Sequence, residues 1–231
     1  MEYAFHVFNR FAADGMSIAL QSLLSSCVAR KSASKRIAWK NKQTDGAGTQ
    51  SIAKTPVSAA EKAMQEQALF CQPPVIVCIG SDLAIGDCVG PISGSLLKYK
   101  TQGVKSFIYG TLASPVTAKE IKYLRAFLKE THPFSPVIAV DAAVGAEGDI
   151  GLIKLADTPL VPGAGANKKL GAVGDISILA IVAEKSVANY GLFNTTRLNL
   201  VYSMAEIIAD ALASLLYNSK KSVDNGEENM L

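Results

Sequence analysis

The chain has 231 residues, 49% of them hydrophobic and 19% charged, which suits one domain with a sizeable extension, or two small domains, and permits a substantial core. Its net charge of +3 is uneven: residues 1–72 carry nine Lys/Arg against five acids, residues 75–217 twelve of each, and the last fourteen two Lys against three acids. A neutral core argues against a nucleic-acid binder, which shows its basic excess on the folded domain.

Four cysteines (Cys27, Cys71, Cys78, Cys88) form no CxxC pair and no metal-ligand spacing, so a reducing compartment is the simpler assumption. The two histidines, His6 and His132, do not make a His-rich metal site. No run approaches the roughly 18 uninterrupted apolar residues of a membrane span. The N-terminus begins with Glu2 and places its basic residues after the apolar stretch at 18–28, unlike a signal peptide. The expectation is a cytoplasmic protein.

Residues 1–29 show loosely helical apolar spacing through Phe5, Phe8, Phe11, Ile18, Leu20, Leu23 and Leu24. Six basic residues and no acid follow between Arg30 and Lys42, then a Gly/Ser/Thr/Gln-rich linker at 43–58 and a short helix at 58–70 begun by Ser58 and Glu61. The basic cluster fits either an anionic partner or a solvated, partly disordered extension, and the second is preferred.

The character changes at Pro73. Val75-Ile76-Val77-Cys78-Ile79-Gly80 has the form of a buried parallel strand. Helical spacing is expected over 91–100, a strand over 106–110, and a helix over 117–131 with Thr117 as N-cap and Glu120 three residues on. Further strands are predicted over 137–141 and 151–155, a glycine-rich loop over 162–175, a helix over 177–190, a strand over 196–201 and a closing helix over 203–216. Alternating strands and helices argue for a doubly wound α/β domain at 73–217, its mostly parallel sheet covered on both faces. Residues 1–72 are expected to be a helical or disordered extension and 218–231 a polar tail.

In such sheets functional groups collect outside the carboxyl ends of the strands. Two strands deliver aspartates there: the segment Gly80-Ser81-Asp82-Leu83-Ala84-Ile85-Gly86-Asp87, and Val140-Asp141. On neighbouring strands, Asp87 and Asp141 would face each other, and close carboxylates resist double ionisation. Such a pair holds one proton and serves as base and acid together, as water attack on a peptide carbonyl requires. Each aspartate alone is more often a helix cap or turn former than a catalytic group. Asp82 is preferred as a turn former over a third site carboxylate, and Asp175 as a helix N-cap. Backbone N–H groups of the 162–175 loop could polarise a substrate carbonyl. Arg197 suits either a substrate carboxylate or a structural ion pair, and Thr111 suits the cleft wall.

Several motifs occur in one order: Gly80-Ser81-Asp82 through Gly90-Pro91; Tyr109-Gly110-Thr111-Leu112 with Ser114-Pro115-Val116; Ile138-Ala139-Val140-Asp141-Ala142; Pro162-Gly163-Ala164-Gly165-Ala166-Asn167-Lys168; Val173-Gly174-Asp175-Ile176; and Asn194-Thr195-Thr196-Arg197-Leu198. The set resembles the YyaC-type sporulation proteins, relatives of the bacterial spore germination protease, and by fold the hydrogenase maturation endopeptidases. The resemblance implies an atypical aspartic peptidase with Asp87 and Asp141 catalytic. It also implies a substrate-binding surface drawn from Asp82, Thr111, Gly163, Gly165, Asn167, Lys168 and Arg197. A protein or peptide substrate is implied, small spore proteins among the candidates, in the interior of the forming or mature spore. Germination protease is made as a precursor, so residues 1–72 are either a removable extension of that kind or a lineage-specific addition. The alternatives are a non-catalytic sporulation factor that binds a peptide in the same cleft, and a metal-assisted maturation endopeptidase. The metal reading is disfavoured, because Asp87 would be the nickel-sensing acid but no histidine follows His132 and oxygen ligands alone suit nickel poorly. No metal and no cofactor are expected.

Overall fold

The computed structural model describes residues 1–44, 72–163, 170–185 and 196–228. Four runs that are apolar on both faces make the parallel heart of the sheet. They are β2 (Val75–Cys78), β3 (Phe107–Tyr109), β4 (Val137–Gly145) and β6 (Ile176–Glu184). β2 is buried at every position, and β6 at all but Leu179 and Glu184. Burial on both faces is what a parallel strand demands, since its crossover helices cover the sheet on either side. β5 (Leu152–Ala156) runs antiparallel to β6, and β1 (Glu2–His6) antiparallel to β5, giving the order β1-β5-β6-β4-β2-β3.

The helices form two layers. α1 (Ala12–Thr44), α2 (Val89–Lys100) and α4 (Leu198–Glu228) bury Leu20, Leu23, Leu97, Ile208 and Leu212 against Ile76, Ile138, Val140 and Ile178. On the other face α3 (Ile121–Thr131) packs Ile121 and Leu128, with Leu160 and Val173, against Val75, Val77 and Ala139. The alternation of β2 and β4 residues between these cores is the period of two expected of a strand. The doubly wound α/β architecture predicted for the chain is therefore present.

Three predicted elements are corrected. The segment at 177–190, read as helix, is β6 as far as Glu184, and 186–190 lie outside the described residues. An apolar run such as Ile176–Val182, interrupted only by Ser177, carries no clear period that separates strand from helix, and its branched residues fit the doubly buried strand. The strand expected at 196–201 is instead the approach to α4, which starts at Leu198 and continues to Glu228, so the predicted tail at 218–231 is helical where described. Within α4, Leu198–Ser219 has a mean hydropathy of 1.5 and is long and apolar enough by itself to cross a membrane. In the fold its apolar stripe, from Val201 to Leu216, lies in the core.

The third correction concerns residues 1–72. Glu2–His6 is an edge strand rather than helix, its five residues paired with Leu152–Ala156. α1 contributes Met16, Leu20, Leu23 and Cys27 to the main core, each no more than 1% exposed. The basic run is tied down at its start: Arg30 pairs with Asp157 at 2.5 Å and Lys31 with Asp175 at 2.6 Å, while the N-terminal amine reaches Asp157 at 2.8 Å. The first thirty-three residues belong to the domain. The predicted linker from residue 45 and the helix at 58–70 lie outside the described residues.

The helix predicted over 117–131 with Thr117 as N-cap begins later: Glu120 is the N-cap of α3, with no side-chain cap bond, and Thr117 and Glu120 pair instead in the turn before it, the Glu120 carboxylate accepting from both the Thr117 N–H and hydroxyl. The pair closes that turn just ahead of Ile121. If α1 is core, Leu20→Ala should cost about 2–5 kcal/mol, the usual range for a buried leucine. Urea denaturation of the full chain measures this, and an unchanged midpoint would mark the segment as dispensable.

Candidate functional site

β2 is short and β4 is long, and this inequality builds the site. The Ile79 N–H donates to the Val140 carbonyl at 2.7 Å, and the Gly80 N–H to the Val116 carbonyl at 3.0 Å. The chain then leaves the sheet through a bend at residues 82–84 and a 3-10 turn, Ile85–Cys88, into α2. β4 continues for five residues past Val140, beyond the end of its neighbour. The connection from β2 crosses the α2 face to β3, whereas that from β3 crosses the α3 face to β4, on the other side of β2. The crevice between β2 and β4 is thus a topological switch point, where open α/β sheets bind ligands.

Asp87 stands on the 3-10 turn at one wall of this crevice, half-buried, one residue before the N-cap of α2. Its N–H donates to the Ala84 carbonyl at 3.0 Å, and its carbonyl accepts the Ser81 N–H at 3.2 Å. That fold-back is possible because Gly80 sits at φ +141° and has no side chain: a Cβ there would overlap the Asp87 carbonyl oxygen. A Cβ at Gly90 would likewise collide with the Ile79 carbonyl oxygen, so this glycine lets the first turn of α2 press onto the end of β2. The positive end of the helix dipole favours an anion at Asp87.

Asp141 was expected at a strand end; it lies within β4, opposite Leu179 of β6. Following Val137 and Ala139 in the alternation, it belongs to the α3 face. Its residue is only 7% exposed, and Oδ1 accepts the Ala142 N–H at 2.9 Å. Burial holds this carboxyl well above the ordinary carboxylate range, and the charge of Asp87 raises it further, against a smaller opposing pull from the Ala142 hydrogen bond. The two aspartates are therefore electrostatically coupled across the crevice.

Cys88, which the sequence did not single out, adjoins the pair. Its thiol donates to the Ala84 carbonyl at 3.3 Å, and burial, then Asp87 and Asp82, push it up and keep it protonated. It is not an activated nucleophile. Asp82 is exposed in the bend. Thr111 and Ser114 exchange backbone hydrogen bonds in the turn after β3, and the Leu112 N–H donates to Ser95 Oγ on α2, which places that turn beside the same edge. Arg197 is exposed, its carbonyl accepting from Leu200 at 3.0 Å and Val201 at 3.3 Å to open α4. The end of α2 meets the middle of α4, where Lys100 pairs with Asp210 at 2.7 Å and its carbonyl accepts from Tyr217.

The 162–175 loop is placed differently. It leaves β5 and enters β6 at the amino edge of the parallel strands, where Ala156 pairs with Ser177. Gly163, at φ +69°, is a turn residue on its outgoing limb; Gly165, Asn167 and Lys168 lie outside the described residues. Asp175 is not a helix N-cap, because a strand follows it. Its Oδ2 accepts the Val137 N–H at 2.8 Å and pairs with Lys31, locking the start of β6 to β4 and α1. A cleft of about 400 Å3 at this amino edge holds neither aspartate. His132 lines that cleft, away from the aspartates. Among the described residues no group of three His, Cys, Asp or Glu side chains is arranged to hold a metal ion. The coupled acids at the switch point, not that hollow, define the candidate catalytic site.

The fold and site define a doubly wound α/β protein with an unequal pair of carboxyl groups at its switch point. The chain belongs to the family described as "Protein of unknown function (DUF1256)", which it matches over residues 50–211. It is 37% identical over 182 residues to the protein titled "Uncharacterized protein YyaC" of Bacillus subtilis, covering 79% of this chain and 85% of that one. This agrees with the YyaC-type resemblance in the motifs. Among solved structures, the [NiFe] hydrogenase maturation protease HycI from Thermococcus kodakarensis KOD1 aligns with a TM-score of 0.42 and 22% identity, covering 63% of this chain and 92% of that one.

The raised Asp141 carboxyl has a consequence for stability. The native state holds its proton to higher pH than the unfolded chain, whose value is near 3.8. Its stabilising contribution is full below that value and is lost as pH rises through the native one. Asp141→Asn, which keeps an oxygen for the Ala142 N–H, should therefore raise the melting temperature at pH 7, and the gain should vanish below about pH 4. Melting curves of both proteins across pH test this; a gain independent of pH would mean that Asp141 is not the buried acid.

Proposed function

We propose that the chain is a peptidase in which Asp141 is the resident acid and Asp87 the base. The observation that carries this is the buried Asp141 carboxyl, raised by burial and by Asp87 at the switch point. Ionising one of the pair disfavours ionising the other, so the pair holds one proton at intermediate pH. Burial places that proton on Asp141, and the α2 N-terminus favours the charge on Asp87.

A water between the two would give a proton to Asp87 as its oxygen attacks the peptide carbonyl carbon. Asp141 donates its proton to the carbonyl oxygen as the tetrahedral intermediate forms. The intermediate then collapses: the C–N bond breaks, Asp87 returns its proton to the leaving amine, and Asp141 recovers one from the intermediate's hydroxyl. Both carboxyl groups finish as they began. In this reading Arg197, Thr111 and Asp82 would contact the entering peptide. The likeness of the motifs to the spore germination protease supports a protein substrate in the spore, with small spore proteins as first candidates.

Cleavage of small spore proteins and of unfolded polypeptides by the full chain, followed by mass spectrometry across pH, tests the proposal. Activity should follow a bell-shaped profile whose two limbs belong to the pair. Asp87→Asn and Asp141→Asn, each folded, should lose roughly 10²–10⁴-fold. A folded wild type that binds these polypeptides without cutting them would replace the peptidase by a peptide-binding factor.

A further inference from the structure

The cleft at the amino edge lies where the end of α3, the start of β4 and the 172–175 segment meet α1. Arg125 and Lys129, four residues apart and so on one face of α3, border it with Lys31 from α1 and Asp175. Three cations against one carboxylate leave two positive charges. His132 adds none at neutral pH, because burial pushes its imidazole below the ordinary value, and its Nε2 is engaged with the Tyr109 hydroxyl at 2.7 Å. The floor is apolar, with Leu128 and Val173 in the α3-side core.

Two of the cations are positioned by their neighbours. Lys31 Nζ uses one N–H on Asp175 Oδ2, at 2.6 Å, and one on the Ser135 carbonyl, at 2.9 Å, and an ammonium has a third to give. Gly171, at φ +78°, lies flush against the Arg125 guanidinium, and a Cβ there would overlap Nη1. The 170–175 segment thereby fixes one side of the fork. Among the described residues no carboxylate pairs with Arg125 or Lys129, the ion pairs there being made by other residues. The carbonyl end of α3 opposes an anion, but weakly at an exposed terminus, and two full charges outweigh it.

We propose that this cleft is a second binding site, for a small organic phosphate monoester. Two net charges match a phosphate dianion, where a carboxylate would leave half unmet. A planar guanidinium and ammonium groups are the usual phosphate partners. The volume of about 400 Å3 exceeds a bare phosphate and falls in the range of small-molecule sites; the apolar floor receives the organic part. This site is separate from the aspartates and does not depend on the peptidase proposal.

Calorimetric titration of the full chain with phenyl phosphate, at fixed ionic strength, is the test, with inorganic phosphate and benzoate as comparison probes. Phenyl phosphate should saturate one site and bind more tightly than either. Arg125→Ala and Lys129→Ala, both exposed positions, should each weaken it about tenfold, Arg125→Lys less, and Asp87→Asn not at all. Benzoate binding as tightly as phenyl phosphate, affinity indifferent to Arg125 and Lys129, or loss of binding in Asp87→Asn would each overturn the proposal.

Discussion

The constraint on which the site depends is the unequal length of two adjacent strands. β2 ends at Cys78 and makes its last main-chain bond to β4 from Ile79, while β4 runs on to Gly145. Asp141 therefore occupies a strand position paired on the β6 side and past the last residue of β2 on the other. Had β2 continued alongside, the carboxyl would be sealed among apolar residues, with only the Ala142 N–H to bond it. Had β4 stopped where β2 does, Asp141 would fall in a loop with ordinary hydration and an ordinary affinity for protons. The stagger gives a carboxyl that is desolvated yet borders the crevice.

Sequence reasoning reached much of this because its strongest signals were local. The apolar β2 run and the Thr117–Glu120 pairing are legible, since each is set by neighbours within a few residues. β6 and the start of α4 were not. In Ile176–Val182 every position but Ser177 is apolar, and the choice of strand over helix is made by pairing with β4 and β5, partners distant in sequence. β1 is hidden for the same reason: its pairing with β5, and the packing of Tyr3 and Phe5 on the main core, involve partners distant in sequence. Asp175 looked like a helix cap because the following segment had been read as helix. Of the site, the aspartates could be named in advance, but not that one would be far more buried than the other. That difference follows from the stagger, which no local pattern encodes.

The N-terminal segment illustrates how composition misleads when charge and burial share a helix. Its basic residues gave the region the look of a solvated extension, yet Met16, Leu20, Leu23 and Cys27 form a buried stripe on the same helix. Lys31 lies one turn beyond Cys27 and serves the fold directly, because its bond to Asp175 fastens the entry of β6 to the sheet. β6 is the partner that flanks Asp141, so the N-terminal helix supports the site from the far edge of the molecule. The antiparallel addition of β1 also pairs the outer edge of β5, which would otherwise offer unpaired main-chain groups.

The inequality of the two aspartates bears on their chemistry. Carboxyl groups in equivalent surroundings share a proton symmetrically, and either can act as acid or base. Here one belongs to an interior strand and the other to the approach of a helix N-terminus, so desolvation acts on Asp141 while the dipole acts beside Asp87. Opposite environments separate the two protonation steps, which in the proposed peptidase is what distinguishes the acid from the base. The glycines at 80 and 90 are part of that assignment: by letting the turn fold onto the end of β2, they hold Asp87 close enough for its charge to reach Asp141. A side chain at either position would move the turn outward and weaken that coupling. The proton affinity of the buried acid is thus set jointly by a strand that runs long and a turn that packs tightly.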